Sequence, residues 1–224
     1  MATYMIHACP KRMWYVEDFM IPSMLKQDIN QDDIIIYNDT NGDGNLESCL
    51  KSFASVPDDD NGIWHLQDDL LLASTFKEQT ELHDDGIVYG WSGYYDKAEN
   101  GEWYPSGVVY PKQMWSSFQC VRIPNKIARS FVKWFRTYME RNPVYSIHVK
   151  SGKCDDWFFK SYCKSELKTT PILNLAPNIV EHIDHLIGGS SINYPREQLY
   201  VARFWEEHEL YEQLKKELND LGRT

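Results

Sequence analysis

No stretch of this 224-residue chain approaches the ~18 consecutive apolar residues of a membrane span. Glycine and proline are modest, at 12 and 10 residues, which excludes collagen-like and low-complexity classes. The five cysteines are an odd number without metal-site spacing, so free thiols in a reducing compartment are expected rather than a disulfide scaffold. The opening Met-Ala-Thr-Tyr-Met-Ile-His lacks the basic region and apolar run of a signal peptide, and a cytoplasmic location is expected. Aromatics, by contrast, are plentiful: 8 Trp, 14 Tyr and 9 Phe within 42% hydrophobic residues exclude disorder and supply a sizeable core. A single domain spanning residues 1–224 is expected.

Positive charge is scarce overall but concentrated locally. The net charge is −10, yet Arg122 to Arg141 holds six Lys and Arg against Glu140 alone. On a helix, Lys126, Arg129, Lys133 and Arg136 fall within an arc of about 80°. Ile127, Phe131, Trp134, Phe135 and Tyr138 form a separate apolar face, and these aromatics are expected in the core. Only Arg136 has an acid at i+4, so the stripe invites a polyanion such as nucleic-acid phosphate, an anionic membrane surface or an acidic glycan. A solvated helix face is the bland alternative.

Along the chain, Tyr4 to Cys9 predicts a strand, Met13 to Lys26 a helix, and Ile34 to Tyr37 a buried strand. Asn45 caps a predicted helix running to Ser55. Ile63 to Leu66 predicts a strand, Leu70 to Phe76 a helix or turn, and Gly86 to Tyr89 a strand. Trp91 to Trp115 is irregular. A helix follows Pro124 to Arg141, then a strand Val144 to Val149, a helix Asp155 to Ser165, a loop Thr169 to Tyr194 and a closing helix Arg196 to Leu221. Alternating strands and helices in the first half predict an α/β fold with a mainly parallel sheet flanked by helices.

Several short motifs carry chemistry. Asp39-x-Asn41-x-Asp43-Gly44 imitates the opening of a calcium loop, but its twelfth position is Leu50 and a strand precedes it. Asp39 is better placed at the carboxyl end of a parallel strand, where it can accept from a ribose or base. The run Ile63-Trp-His-Leu-Gln-Asp-Asp69 ends a strand in adjacent acids, for which Mg²⁺ or Mn²⁺ is a natural partner and, through it, a diphosphate. A solvated loop capping a helix is the alternative for Asp68 and Asp69. His182 can complete a metal site. The small residues Gly188-Gly189-Ser190-Ser191 offer amides and hydroxyls to phosphate, or merely connect. Asp155 and Asp156 either stabilise the first turn of a helix or supply a general base.

The order of Asp39, Gln67-Asp68-Asp69, Asp155-Asp156-Trp157 and Pro177-Asn-Ile-Val-Glu-His182 followed by Gly-Gly-Ser-Ser resembles metal-dependent GT-A glycosyltransferases. Gln67 stands where the strict D-x-D motif has its first acid. The resemblance implies a GT-A-like, Rossmann-type sheet with a nucleotide-sugar half over about 1–90, an acceptor half over about 91–195 and a C-terminal helix over about 196–222. It implies a UDP-sugar donor, a divalent Mn or Mg bound by Asp69 and His182 with Asp68 alongside, and Asp156, with Asp155 second, as base. Ala8, Cys9, Pro10, Arg12, Asp39, Ser190 and Ser191 would hold the nucleoside and diphosphate.

The chain is also similar to small phage-type glucosyltransferases acting on 5-hydroxymethylpyrimidines in DNA. With the stripe Lys126, Arg129, Lys133 and Arg136, that makes DNA the preferred acceptor, in the host cytoplasm for a phage-encoded member, its target base leaving the stack. Trp91, Tyr94, Tyr95, Trp103 and Tyr104 would then meet the acceptor. The alternatives are a lipopolysaccharide or capsule glycan at a membrane surface, a metal-dependent phosphohydrolase or nuclease, and a non-enzymatic binding module.

Overall fold

The computed structural model describes residues 2–91, 107–109, 118–143, 155–188 and 205–223. Strand β1 (Thr3–Ala8) is followed by a turn Pro10–Arg12 and helical segments α1 (Met13–Tyr15) and α2 (Ile21–Lys26). A π-helical run, Val16–Met20, joins α1 to α2. Pro22, which brings no N–H, falls where the wider ladder tightens again. Next come β2 (Ile34–Asn38), α3 (Asn45–Ser55), β3 (Gly62–Gln67), β4 (Leu70–Leu72), α4 (Phe76–Leu82) and β5 (Ile87–Tyr89). The remainder is β6 (Gly107–Val109), β7 (Cys120–Pro124), α5 (Asn125–Arg141), α6 (Asp155–Glu166), β8 (Ile172–Asn174), β9 (Val180–His182) and α7 (His208–Asp220).

The central sheet has the order β2-β1-β3-β7-β5-β8-β6. The parallel core β2, β1 and β3 shares its direction with β5 and β8, while β7 and β6 are reversed. This is the expected α/β architecture, a Rossmann-like sheet with helices on both faces. Side-chain alternation builds the two layers. Tyr4, Ile6, Ala8, Trp64 and Leu66 face one core, shared with Tyr15, Val16, Met20 and Met24 and with Tyr211, Leu214 and Leu218 of α7. Met5, Ile63, Val121 and Ile123 face the other, packed by Phe53 of α3, Phe131 and Phe135 of α5 and Phe158 and Phe159 of α6.

Four expectations are corrected. Leu70 to Phe76 is not a helix: Leu70–Leu72 is a strand paired with β9 in a second, two-stranded sheet, and α4 begins only at Phe76. The loop predicted from Thr169 contains β8 and β9, three-residue strands too short to show a period. The run Ile34 to Tyr37 is a strand but not a buried one, because β2 is an edge and leaves Ile35 and Ile36 exposed. The closing helix starts at His208, since residues 205–207 are not helical. The predicted strand Val144 to Val149 and residues 196–204 of that helix lie outside the described residues, as does most of Trp91 to Trp115.

Where β5 ends, its backbone is gripped on both sides. The Gly90 amide donates to the Cys120 carbonyl and its carbonyl accepts from Ile179. A Cβ at Gly90 would lie 2.6 Å from Cys120 Sγ and 2.7 Å from Ile179 Cγ1. Gly90→Ala is therefore expected to overpack this junction and cost about 1–3 kcal/mol. Urea unfolding measures it, and an unchanged midpoint contradicts this packing.

Candidate functional site

The site forms at the carboxyl ends of β1, β2 and β3, where open α/β sheets hold ligands. β3 delivers Asp68 and Asp69 just past Gln67, and both are buried, at 2% and 4% exposure. β1 ends at Ala8, and the Cys9 amide donates to Asp68 Oδ2 at 2.7 Å. The Pro10–Arg12 turn, closed by Arg12 N–H to Cys9 O, then folds the Arg12 side chain back under the strand ends. Its guanidinium meets both acids: Nη2 is 2.7 Å from Asp68 Oδ1 and Nη1 donates to Asp69 Oδ2 at 2.5 Å.

The second sheet supplies the histidine. Pairing of β4 with β9 sets Leu70 opposite His182, and the Ile183 amide donates to the Asp69 carbonyl. His182 Nε2 thereby stands 3.2 Å from Asp69 Oδ2, with Asp184 Oδ2 at 3.9 Å and the Trp91 ring edge-on at 5.8 Å. Asp69 Oδ1 is buried with no hydrogen-bond partner. The nearby His185 instead meets the Tyr211 hydroxyl.

Burial alone would raise both carboxyls. For Asp69 the neighbouring His182 and Arg12 overcome it and hold the acid well below the usual range. Asp68 stays high, at about 6, because burial and the charge of Asp69 outweigh Arg12 and the Cys9 amide. The fixed negative charge of the pair thus lies on Asp69, against Arg12.

A small cleft with about 30 Å³ of free space, open to solvent, adjoins the pair and is lined by His7, Ala8, Cys9, Arg12, Asp39, Asn45 and Asp68. Asp39 closes its own loop: its two oxygens accept the Asp43 and Gly44 amides at 2.9 Å, a turn that needs the positive φ of Gly44. Burial raises this carboxyl, but the two amides win and its pKa falls. This carboxylate organises the turn from β2 into α3. A larger hollow of about 370 Å³, walled by Leu173, Leu175, Ile179, Gln79 and His83, has no buried charged side chain in its lining. Chemistry, not size, selects the cleft.

The first turn of α6 carries the remaining acids, Asp155 and Asp156, and burial separates them. Asp156 is half-buried and its Oδ1 accepts the Trp157 amide, a helix-start role. Asp155 is buried, and its Oδ2 has no hydrogen-bond partner. Burial, then Asp156, lifts its pKa to about 7, with Asp69 contributing across the site. Ser190 and Ser191 lie outside the described residues, as do Tyr94, Tyr95, Trp103 and Tyr104. Pro10 opens the turn that places Arg12 and carries no further contact in the cleft.

Two observations bear on the partners of these charges. The sequence makes a divalent cation a natural partner for the acid pair, and the structure sets Arg12, a cation of the chain's own, against both acids. With Asp68 engaged on both oxygens and Asp69 Oδ2 shared by Arg12 and His182, Asp69 Oδ1 is the one acid oxygen of the pair without a hydrogen-bond partner. Among the described residues no three His, Cys, Asp or Glu side chains group so as to hold a metal ion. The donor set therefore does not fit a protein-held divalent ion.

From i+4 spacing only Arg136 has an acidic partner, Glu140, but in the structure three of the four stripe cations have acidic neighbours. Lys126 reaches Asp60 at 2.5 Å, and Arg129 donates to the Val56 carbonyl with Asp58 at 4.0 Å. Arg136 grips Glu47 of α3 through two hydrogen bonds of 2.6 and 3.0 Å. Only Lys133 has no ion pair among the described residues. The aromatics are core as expected, with Phe131 and Phe135 fully buried.

Residues missed from sequence include His7, Asn45 and Lys11. His7 is buried in the cleft wall and its pKa drops to about 4, burial outweighing the pull of Asp39. Its signal was a polar residue at the end of an apolar strand. Lys11 donates to the Gly188 carbonyl and so ties the turn after β1 to the chain beyond β9. No protein-family model and no curated protein sequence matches this chain.

A folded Asp155 titrating near 7 keeps a proton that the unfolded chain releases near the usual ~3.9. Stability contributed by this group is full below the lower value and is lost as pH rises through the upper one. From about pH 5 to about pH 8, the melting temperature of wild type is expected to fall relative to Asp155→Asn. A constant difference across that range contradicts a buried, high-pKa Asp155.

Proposed function

We propose that this chain is a glycosyltransferase drawing its sugar from a nucleoside diphosphate sugar, with a UDP-sugar as the donor to test first. The observation that carries the reading is the buried Asp68–Asp69–Arg12 cluster beside the cleft at the ends of three parallel strands. A Rossmann-like sheet places nucleotides at that edge. Asp39 and Asn45 then face the nucleoside, and Arg12 faces the diphosphate.

In this reading the bond between the anomeric carbon and the diphosphate oxygen breaks, and its electron pair stays on the phosphate. Arg12 offsets the charge that develops there. The acceptor hydroxyl oxygen bonds to the anomeric carbon and its proton passes to a carboxylate. Asp155, held near pH 7 and charge-linked to Asp69, suits that task better than Asp156, because a base works best when its pKa lies near the operating pH.

The acceptor proposed is a hydroxyl of a glycan or small molecule rather than of DNA. Three of the four stripe cations have acidic neighbours in Asp60, Asp58 and Glu47, so the stripe presents less net positive charge than the DNA reading required. The phosphohydrolase reading has only the two adjacent acids in its favour.

Nucleoside diphosphates and their sugars are expected to raise the melting temperature by several degrees at ~100 times their Kd. Asp39→Ala should weaken UDP binding about tenfold, about 1.4 kcal/mol. Asp155→Asn should lower sugar transfer or slow UDP-sugar hydrolysis ~100-fold while UDP binding changes less than about twofold. Release of inorganic phosphate from phosphomonoesters, with no nucleotide binding, contradicts the proposal. Transfer to DNA bearing 5-hydroxymethylpyrimidines, in a parallel reaction, would restore the DNA acceptor.

A further inference from the structure

We infer that Arg12 is the resident counter-cation of the Asp68–Asp69 pair, so that the cleft takes its nucleotide without a divalent metal. The inference builds on the nucleotide reading of the cleft, but the relation of Arg12 to the acids stands independently of it.

Three observations converge. Arg12 is itself buried, at 7% exposure, and meets the two carboxylates with separate nitrogens at 2.5 and 2.7 Å. A planar guanidinium fits that task, since it presents several donors in a fixed fork and cannot lose its charge. Three of the four acid oxygens are committed as well, leaving only Asp69 Oδ1. Asp68 uses one on Arg12 and one on the Cys9 amide, and Asp69 Oδ2 serves Arg12 and His182 together. A divalent ion would have to displace the guanidinium or stand against it at close range, cation beside cation.

Finally, Arg12 is positioned by backbone rather than by chance of rotamer. The Pro10–Arg12 turn starts where β1 ends, and the same Cys9 residue supplies both the amide held by Asp68 and the carbonyl that closes the turn. The acids thereby orient the guanidinium of Arg12, which is one of the residues lining the cleft. Asp68 and Asp69 are positioning residues for Arg12.

The test uses Mn²⁺ alone and UDP as separate probes on the full chain treated with chelator. Wild type is expected to show a melting temperature shift below about 1 °C with ~1 mM Mn²⁺, and UDP binding within about twofold in EDTA and in Mn²⁺. Arg12→Gln leaves two buried acids without their cation and is expected to gain a Mn²⁺-dependent stabilisation of at least about 3 °C. Arg12→Lys keeps the charge and should stay insensitive to Mn²⁺, which keeps the test decisive where the Gln variant does not fold. Mn²⁺ stabilisation of wild type, or UDP binding seen only with Mn²⁺, overturns the inference. Absence of UDP binding under every condition overturns the nucleotide reading instead, and the Mn²⁺ arm still decides the role of Arg12.

Discussion

The Arg12 guanidinium caught between Asp68 and Asp69 is the constraint around which the rest of the site is arranged. Two adjacent carboxylates at 2% and 4% exposure repel each other and lose most of their hydration, so they persist in the fold only with a cation and donors supplied by the protein. Those donors arrive from three separate places: the turn after β1, the amide of Cys9, and His182 on β9. The second sheet has its purpose here. Without the pairing of Leu70 with His182, nothing would bring a residue 113 positions downstream of Asp69 within 3.2 Å of it.

The same logic governs the surface. The positive helix α5 lies on the face built by α3, and its charges are met by Glu47 and by Asp58 and Asp60 in the loop before β3. These exposed pairs are each worth little in stability, about 0–1 kcal/mol. Their effect is on what the surface offers a partner, since charges already engaged release fewer counterions from a polyanion.

Much of this was legible in the sequence. β3 reads clearly because an apolar run stops at two acids, and α5 because its apolar face repeats over four turns. Asp68, Asp69, His182 and Asp39 were found by type and position, and the structure brings the first three into one cluster with Asp39 across the cleft. Other features were hidden for physical reasons. β4, β8 and β9 have three residues each, too few for a strand period, and they exist because their partners hold them. The stripe's partners were hidden because helical i+4 spacing shows only local ones, whereas Glu47 lies 89 residues from Arg136. Arg12 was picked out for a diphosphate, but its grip on both acids depends on a turn geometry no spacing rule encodes. Asp155 and Asp156 are indistinguishable as letters; burial separates them.

The account stands on a real energetic link between Arg12 and the acids, and a double-mutant cycle measures it most directly. Arg12→Met, Asp69→Asn and the double variant would be unfolded in urea alongside wild type. The structure predicts that the single changes are each costly and the double change much less than their sum, with a coupling on the order of 2–3 kcal/mol. Additivity to within about 0.5 kcal/mol would mean the two groups do not depend on each other, and the site as described would not stand.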